Sequence, residues 1–591
     1  MVQPLAYYQQ EKSKYKIQLE QLRVKSGRLS LMRMGLFVCT GLLAYFAVDH
    51  TLWLVILLFT GLVVFILLVL YHEQLRYKRD LVTHLLKINI VEIEALSGNY
   101  SDLNTGSEFI DPKHFYSNDI DLFGKGSFFQ YLNRTCTDSG KKELAEILTS
   151  NDISGIDKKQ LALQELAKEP GKRQLFMALA RMVSTAVDNQ VIVSWIKNYK
   201  VILPGSMKYL PTVFATLSVL LIGLSIFGVL PFSVLLLWFT IGLVITAIRF
   251  KHVNQLYQDA GNAKNTFKQC HKLLKEIENY DFRSDLLVQQ QSKIKTADKN
   301  ASLIFMKFSK IMDAFDQRNN LIFGALGNGF LLWDLHQGFR IEKWIAQYRD
   351  QVENWFEIIA FFDARFSLAN YVFNHPRHCF PSLNIDENVM EASAMGHPLI
   401  PADKRICNDF YIKNQDFIII TGANMAGKST FLRTVSLSVV MANAGLPVCA
   451  KAFEYTPVKL ITSMRTSDSL ADESSYFYAE IMRLRFIVEQ MKKEKYFIVL
   501  DEILKGTNSK DKAMGSKKFV ERLVESGSTG IIATHDLSLC DIETKYPQIH
   551  NKYFDVEIKN DALYFDYLLK DGICVNMNAS FLLRKMNIIR E

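Results

Sequence analysis

Residues 417–433 read FIIITGANMAGKSTFLR. An apolar β-type run, 417–421, leads into a glycine-punctuated turn and then into a stretch of helical character, 431–444. Gly422, Gly427, Lys428 and Ser429 stand at the spacing of a phosphate-binding loop. Its glycines let backbone N–H groups turn inward around an anion. The lysine reaches the terminal phosphates, and the serine hydroxyl suits a Mg²⁺ ion. The N-terminus of the following helix adds its dipole to the same site. A glycine-rich surface turn is the bland alternative, and the strand before and helix after argue against it.

The second half of such a site is expected downstream. Residues 496–500 form a continuous apolar strand that ends in Asp501-Glu502. A carboxylate at a strand end can hold the Mg²⁺ shell, and its neighbour can polarise an attacking water. A third apolar strand, 530–534, ends in His535, placed to sense a terminal phosphate. Alone, an Asp-Glu pair reads as solvated surface and a single His as a structural residue. At the ends of strands in one series they read as a site.

These motifs resemble the MutS family of DNA mismatch-repair ATPases. Residues 421–433 carry the family's Asn-Met pair, Asn424-Met425, before Gly427-Lys428-Ser429-Thr430. Residues 501–511 are similar to its Asp-Glu-Ile-Gly-Arg-Gly-Thr run, and Ala533-Thr534-His535 to its Ala-Thr-His. Ser467-Asp468 through Ser475-Tyr476-Phe477 and Glu480 resemble its signature segment. Upstream, residues 121–135 resemble the start of the family's core, with Gly124-Lys125-Gly126-Ser127 and Leu132-Asn133-Arg134-Thr135. Gly396-His397-Pro398-Leu399 and Asn408-Asp409 resemble the beginning of its ATPase domain; Tyr567 to Gly572 and Asn578-Ala579 resemble its end.

The resemblance implies an ATPase that uses ATP and Mg²⁺ as a homodimer. Gly422, the Asn424-Met425 pair, Gly427, Lys428, Ser429 and Thr430 would hold the nucleotide. Ser475 would complete the partner's site in trans. Ser429 and Asp501 would hold the metal. Glu502 would activate water, His535 would read the γ-phosphate, and Lys428 would support both binding and catalysis. Leu504-Lys505 stand in place of the family's Gly-Arg, and Ala423 in place of a proline often seen there.

Other segments lie outside the resemblance. Between Arg33 and His72 the only charged residue or histidine is the pair Asp49-His50, and between Lys208 and Arg249 there is none. About 20 apolar residues span the hydrocarbon of a bilayer. Residues 34–48 are short for that, 51–71 are long enough, and 210–229 and 232–248 nearly suffice. The expected arrangement is two transmembrane helical hairpins, turning at Asp49-His50 and at 228–231. A pair of buried core helices is the soluble alternative. Lysines and arginines flank both hairpins and are absent from both tips, so the N-terminus and all large segments are expected in the cytoplasm, on a multi-pass protein of the cytoplasmic membrane.

The fold expected is thus an α/β P-loop NTPase domain (ABC-type, MutS-like) plus an all-α core and lever interrupted by two hairpins. The divisions are 1–33, a basic helical lead, read as a membrane-surface helix ahead of a coiled-coil partner; 34–72, hairpin 1; 73–207, first part of the core; 208–250, hairpin 2; 251–375, the helical lever; and 376–591, the ATPase domain. A net charge of +8 sits partly beside the hairpins, where anionic lipid accounts for some of it. The eight cysteines form no Cys-x-x-Cys pair, so no zinc site is expected. His375, His378 and Cys379 cluster beside Pro376 and read as an ordinary loop.

Function divides on the load. Family resemblance implies DNA, mismatched or branched. Against it, only 33 residues precede the first hairpin, too few for a mismatch-sensing domain, and no β-rich DNA clamp is visible in 251–375. Hairpin 2 is expected where the clamp would be. A membrane-bound ATP-driven scaffold or mechanotransducer that binds no DNA is the rival reading. A transporter is a weaker one, since no Leu-Ser-Gly-Gly-Gln signature occurs and the spans offer no charged path.

Overall fold

The computed structural model describes residues 3–182, 188–295, 300–384, 388–465, 476–505, 507–559 and 562–574. Helix α1, Pro4–Phe46, begins with a proline in its first turn, where a missing N–H costs nothing. A turn over 47–50 reverses the chain into α2, Thr51–Leu96. The turn falls where Asp49-His50 interrupts the apolar run. Gly61 of α2 faces Thr40, whose side chain lies 2.7 Å from where a Cβ would stand, so glycine lets the two helices close up.

The basic lead is not a separate surface helix. It is continuous with the first apolar stretch and packs along α2, while Tyr8 near its start is buried against Asn370, Phe373 and Asn374 of the later helix Trp333–Asn374. A helix running straight out of an apolar stretch follows its direction, so it cannot also lie flat in a membrane plane. Of its apolar residues at helical spacing, Leu19 is buried and Tyr15 and Leu22 are half-buried.

Helices α3 (Phe128–Leu132), α4 (Asp138–Thr149), α5 (Ile156–Ala167), α6 (Pro170–Arg181) and α7 (Asn189–Asn198) build the first part of the core. The second hairpin follows as α8 (Leu210–Ile226) and α9 (Phe232–Ile248), turning at the expected place. At Arg249 the chain bends by 65° into α10, Phe250–Glu278. Then come α11 (Asp285–Ser292), α12 (Ala301–Phe315), α13 (Leu321–Leu331) and α14, Trp333–Asn374. Trp344, Tyr348, Val352, Trp355 and Ile359 of α14 are all buried. Trp344 packs against Phe267 of α10 and Phe308 of α12, ring centres 5.4 and 4.8 Å apart, and Trp355 against Phe305 of α12 at 5.4 Å. That is the core packing their helical spacing predicts. Among the described residues no β-strand precedes residue 382.

The remaining chain forms β1 (Ser382–Leu383), β2 (Asn388–Met395), β3 (Asn408–Lys413), β4 (Phe417–Gly422), α15 (Lys428–Asn443), β5 (Ala452–Tyr455), β6 (Lys459–Ser463), α16 (Tyr476–Met491), β7 (Tyr496–Asp501), α17 (Ser509–Glu525), β8 (Thr529–Ala533), β9 (Ile549–Phe554), β10 (Glu557–Lys559), β11 (Ala562–Tyr564) and β12 (Leu569–Asp571). The main sheet has the order β12-β9-β4-β8-β7-β6, parallel except for β12. Strands β4, β7 and β8 are mostly apolar and buried along nearly all their length, as a sheet covered on both faces requires.

By length and apolarity, α1 and α2 are each able to cross a membrane, and α9 with α10 forms a bent candidate. Helices α8 and α13 are apolar but shorter.

Candidate functional site

The site sits at the carboxyl ends of three adjacent parallel strands, where open α/β sheets bind ligands. Ile420 of β4 pairs with Ala533 of β8, which pairs with Asp501 of β7, so the loop, the Asp-Glu pair and the Ala-Thr-His segment leave the sheet at one level. Two hydrogen bonds tie these exits together. Thr534 N–H donates to Ile420 O at 2.9 Å, and Glu502 N–H donates to Ala533 O at 2.9 Å.

The loop needs its glycines. Gly422 has φ 148° and Gly427 φ 105°. A Cβ at Gly422 would stand 2.7 Å from Phe554 O, and one at Gly427 would stand 3.1 Å from the Tyr567 ring. Met425, at φ 69°, points no polar group at the cleft, so Asn424 supplies the polar side chain there.

Lys428 is buried and donates to Gly422 O at 2.8 Å and Ala423 O at 3.0 Å. Burial lowers its pKa, opposed by the Glu502 and Asp501 carboxylates. Its ammonium is thus held over the loop by carbonyls that a phosphate can replace. Ser429 Oγ donates to Asp501 Oδ2 at 2.6 Å, bringing together two hard oxygen ligands from the loop and from β7. His535 Nε2 lies 2.8 Å from Glu502 Oε1. That hydrogen bond holds the Glu502 carboxyl down to about 2 against the opposing effect of burial, so Glu502 is a full carboxylate at neutral pH. His535 Nε2 is also 3.3 Å from Lys428 Nζ.

Every expected site residue within the described segments therefore converges on one cleft. Gly422, Gly427, Lys428, Ser429, Thr430, Asp501, Glu502 and His535 are all there. Ser475, with Ser467 and Asp468, lies outside the described residues, as does Asn578-Ala579. The Asp-Glu segment shows how the departure at Leu504 is accommodated. Leu504 adopts φ 60°, a conformation that favours glycine. Its side chain packs onto Gly515 of α17, where a Cβ would stand 2.7 Å away. The next N–H, of Lys505, donates to Glu480 Oε2 at 2.9 Å. Burial raises the pKa of Glu480, opposed by these backbone bonds.

The cleft, about 460 Å³, has a wall with no role in the sequence reading. His397, Ile400, Ile406, Asn408, Phe554 and Tyr567 line it. Asn408 accepts from Leu569 N at 2.7 Å and donates to Tyr567 O at 3.0 Å, fixing Tyr567 over the loop. Asn408 and Tyr567 stand in quoted motifs, but only the folded sheet brings them to the loop.

The upstream motif 121–135 joins the domains. Asp119 accepts from Thr462 Oγ1 at 2.5 Å and Arg465 N at 2.9 Å, and Asp121 pairs with Arg433 and Arg465. Arg134 is buried and donates through Nε to Glu92 Oε1 at 2.5 Å. Burial pushes Glu92 up, but Arg134 and two asparagine hydrogen bonds hold it below the usual carboxylate range. Asn374 completes this cluster, donating to Glu92 at 3.0 Å and accepting from Tyr8 of α1 at 2.8 Å. The loop histidines are satisfied by neighbours: His375 contacts Tyr131 Oη at 2.9 Å, and His378 contacts Tyr371 Oη at 3.1 Å. Among the described residues no group of three or more His, Cys, Asp or Glu is placed to hold a metal ion.

Comparison with known proteins agrees with this architecture. Residues 418–584 match the model of MutS domain V. The chain is 33% identical over 193 residues to the human MutS protein homolog 4, covering 31% of this chain and 20% of that protein. It is 32% identical over 207 residues to the DNA mismatch repair protein MutS of Thermotoga neapolitana, covering 34% and 25%. It is also 32% identical over 216 residues to the DNA mismatch repair protein MSH4 of Arabidopsis thaliana, covering 35% and 26%. The chain spans about a fifth to a quarter of the length of these relatives.

Proposed function

We propose that this chain, which belongs to the MutS family through its C-terminal domain, is a membrane-anchored ATPase that works as a homodimer on DNA. The observation that carries the catalytic part is the convergence of Lys428, the Ser429–Asp501 contact and the Glu502–His535 pair at one level of the sheet. Ser429 and Asp501 fit Mg²⁺, since both offer hard oxygens from elements fixed by the sheet. When bound, the ion would neutralise phosphate charge. The loop N–H groups and Lys428 hold the phosphates. Glu502 accepts a hydrogen bond from the attacking water and aligns it, while His535 holds that carboxylate and stands where a terminal phosphate would arrive. Thr430 lines the same cleft, and Ser475 of the partner would complete it.

The membrane part rests on the uncharged runs that form α1, α2, α8 and α9. The basic residues at their ends favour the cytoplasmic membrane, with the ATPase domain in the cytoplasm. The DNA part rests on the names of the relatives, two of which are mismatch-repair proteins. A second reading, a scaffold or mechanotransducer without DNA, is favoured by the all-helical build of the described residues before 382, which leaves hairpin 2 and α13 at the end of the lever. The test uses detergent-solubilised Glu502→Gln protein, which should bind ATP without turning it over. It is titrated with homoduplex, mismatched and branched DNA across a salt series. ATP-dependent binding with a steep salt slope supports the DNA reading. ATP-dependent dimerisation without binding above the non-specific level supports the second.

A further inference from the structure

From Asn319 to Trp333 the chain carries no charged side chain, yet this stretch lies between α12 and the 42-residue α14. Most of it forms α13, whose outer face is apolar and bare: Leu321 is 87% exposed, Ile322 71% and Leu326 50%. Its inner face is stitched to hairpin 2. Gly242 of α9 approaches Gly329 so closely that a Cβ would stand 2.2 Å from Gly329 O, and Phe239 fills the space beside Gly329. Ser218 of α8 donates to Phe330 O at 2.6 Å and accepts from Trp238 Nε1 at 2.8 Å.

These contacts set a depth. The Arg318 guanidinium, just before α13, lies over the ring of Phe250, at the bend where α9 leaves the apolar run. Ser218 and Gly242 are midway along α8 and α9. So α13 starts level with the base of hairpin 2 and ends near its middle. At 1.5 Å per residue its 11 residues extend about 16 Å, roughly half of a hydrocarbon layer of about 30 Å. The chain then turns at Leu332, φ 50°, and α14 runs back to the ATPase side. The Arg318 side chain, which precedes α13, reaches Asp334 in the first turn of α14 with a buried ion pair at 3.0 Å.

The ends of α13 are also finished internally. The Asn320 side chain accepts from Ile322 N and Phe323 N, each at 3.1 Å. Leu332 N–H caps onto Gly327 O, and Asp334 N–H donates to Asn328 Oδ1 at 2.9 Å. Helix ends satisfied without water are what a hydrocarbon surrounding demands. The apolar face is also continuous with the exposed apolar faces of α8 and α9.

We infer that α13 is a re-entrant wedge that dips into one leaflet beside hairpin 2, its outer face against lipid acyl chains. This rests on the membrane reading of the hairpins. It makes the lever end in the membrane directly, because α14 begins two residues after α13 ends and its 42 residues reach about 63 Å to the ATPase domain. Displacement of α14 by ATP would then move α13 against the leaflet.

The test places single cysteines in a protein with Cys39 and Cys407 replaced by serine, reconstituted in phosphatidylcholine/phosphatidylglycerol nanodiscs. Ile322→Cys and Leu326→Cys probe the wedge, Leu62→Cys and Leu237→Cys the hairpins, and Gln255→Cys the cytoplasmic side. All five sites are outward-facing or on helix exteriors, and ATP turnover by each variant reports that it is folded. The expected result is that a charged maleimide labels only Gln255→Cys. An environment-sensitive fluorophore attached before reconstitution at Ile322→Cys or Leu326→Cys should be quenched by lipids brominated on their acyl chains. Labelling of the wedge sites with the hairpin sites protected overturns the wedge and leaves the anchor standing. Labelling of both sets overturns the membrane reading itself. A disulfide-linked dimer through Ile322→Cys without lipid quenching assigns the face to a second copy and also overturns the wedge.

Discussion

The nucleotide cleft and the hairpin tip are built on opposite terms. In the cleft, backbone strain and charge are concentrated: Gly422, Met425, Gly427, Glu502 and Leu504 all have positive φ, and ionisable groups lie within 4 Å of one another. In the second hairpin, α8, α9 and α13 meet midway along its helices through glycines, ring stacking and one serine relay. Directional polar contacts fix atoms to fractions of an ångström, which is what positioning phosphates needs. Small residues allow close backbone approach where hydrophobic burial gives no net drive between helices, as among lipid chains. Between the two regions runs α14, which packs on α13 and α8 near its start and reaches the Glu92–Arg134 cluster through Asn374 at its end. The comparison teaches that the chain puts precision at one end of a long helix and adaptability at the other.

The largest expected effect tests the precise end. Lys428→Ala removes the only side-chain cation held over the loop among the described residues, and should lower ATP turnover at least about 100-fold, the scale of losing one preorganised electrostatic group. Steady-state phosphate release measures it. Turnover within a few-fold of the parent protein would mean that the cleft is not the hydrolytic site.

The junction between the regions should be nearly as sensitive, in stability instead of activity. Glu92→Gln leaves Arg134 buried without its counter-charge, at a cost of about 3–5 kcal/mol. Tyr8 and Asn374 share the cluster, so α1 should loosen from α14 as well. Protease protection of the first helix reports this directly. An unchanged melting temperature together with unchanged protection would show that the two ends are not joined through this cluster.

Acid should separate the regions further. Burial lowers His375 to about 4, His378 to about 3 and His397 to about 4, each with neighbouring cations acting in the same direction. The unfolded histidines, near 6.5, then bind more protons than the folded ones. Stability contributed by these groups is present above pH of about 6.5 and is lost as pH falls toward 4, by about 2 kcal/mol each at pH 5. Asp363, raised by burial to about 6, works the other way and recovers about 1 kcal/mol over the same change. The net sign is destabilisation by acid. Thermal melts from pH 7.5 to pH 5 should fall, and His378→Gln should flatten the slope. A flat profile in the parent protein would show that the three rings are not buried neutral.

How much of this was legible in the sequence follows the same division. Gly422, Lys428, Ser429, Asp501, Glu502 and His535 could be read because each stands at the end of an apolar strand, and a parallel sheet brings such ends to one level. Tyr567 over Gly427 could not be read as a lid on the loop, because a pairing across 140 residues leaves no local spacing. The turns of both hairpins were legible from where charge and proline interrupt apolar runs. The identity of α13 was not: its 11 residues are too short for a span, and within 251–375 they pass for one more core helix. That the basic lead is one helix with the first apolar run was not legible for a related reason, since Tyr15, Leu19 and Leu22 give the same helical spacing against lipid headgroups as against a partner helix.

The smallest effect tests the adaptable end. The Ser218 side chain joins α8, α9 and α13, accepting from Trp238 and donating to Phe330 O. Ser218→Ala keeps the volume nearly constant and removes both interhelical bonds together with the one to Phe214 O within α8. A buried hydrogen bond contributes about 1 kcal/mol, and interhelical bonds between membrane helices average somewhat less. The melting temperature should therefore drop by only a few degrees, with ATP turnover by the distant cleft unchanged in the absence of lipid. In nanodiscs the prediction sharpens: if α14 carries motion between the regions, loosening α13 should change how strongly lipid alters turnover while leaving the detergent value alone. Equal turnover in both settings, for the parent and for Ser218→Ala, would mean that the tip anchors the protein without sensing what the cleft does.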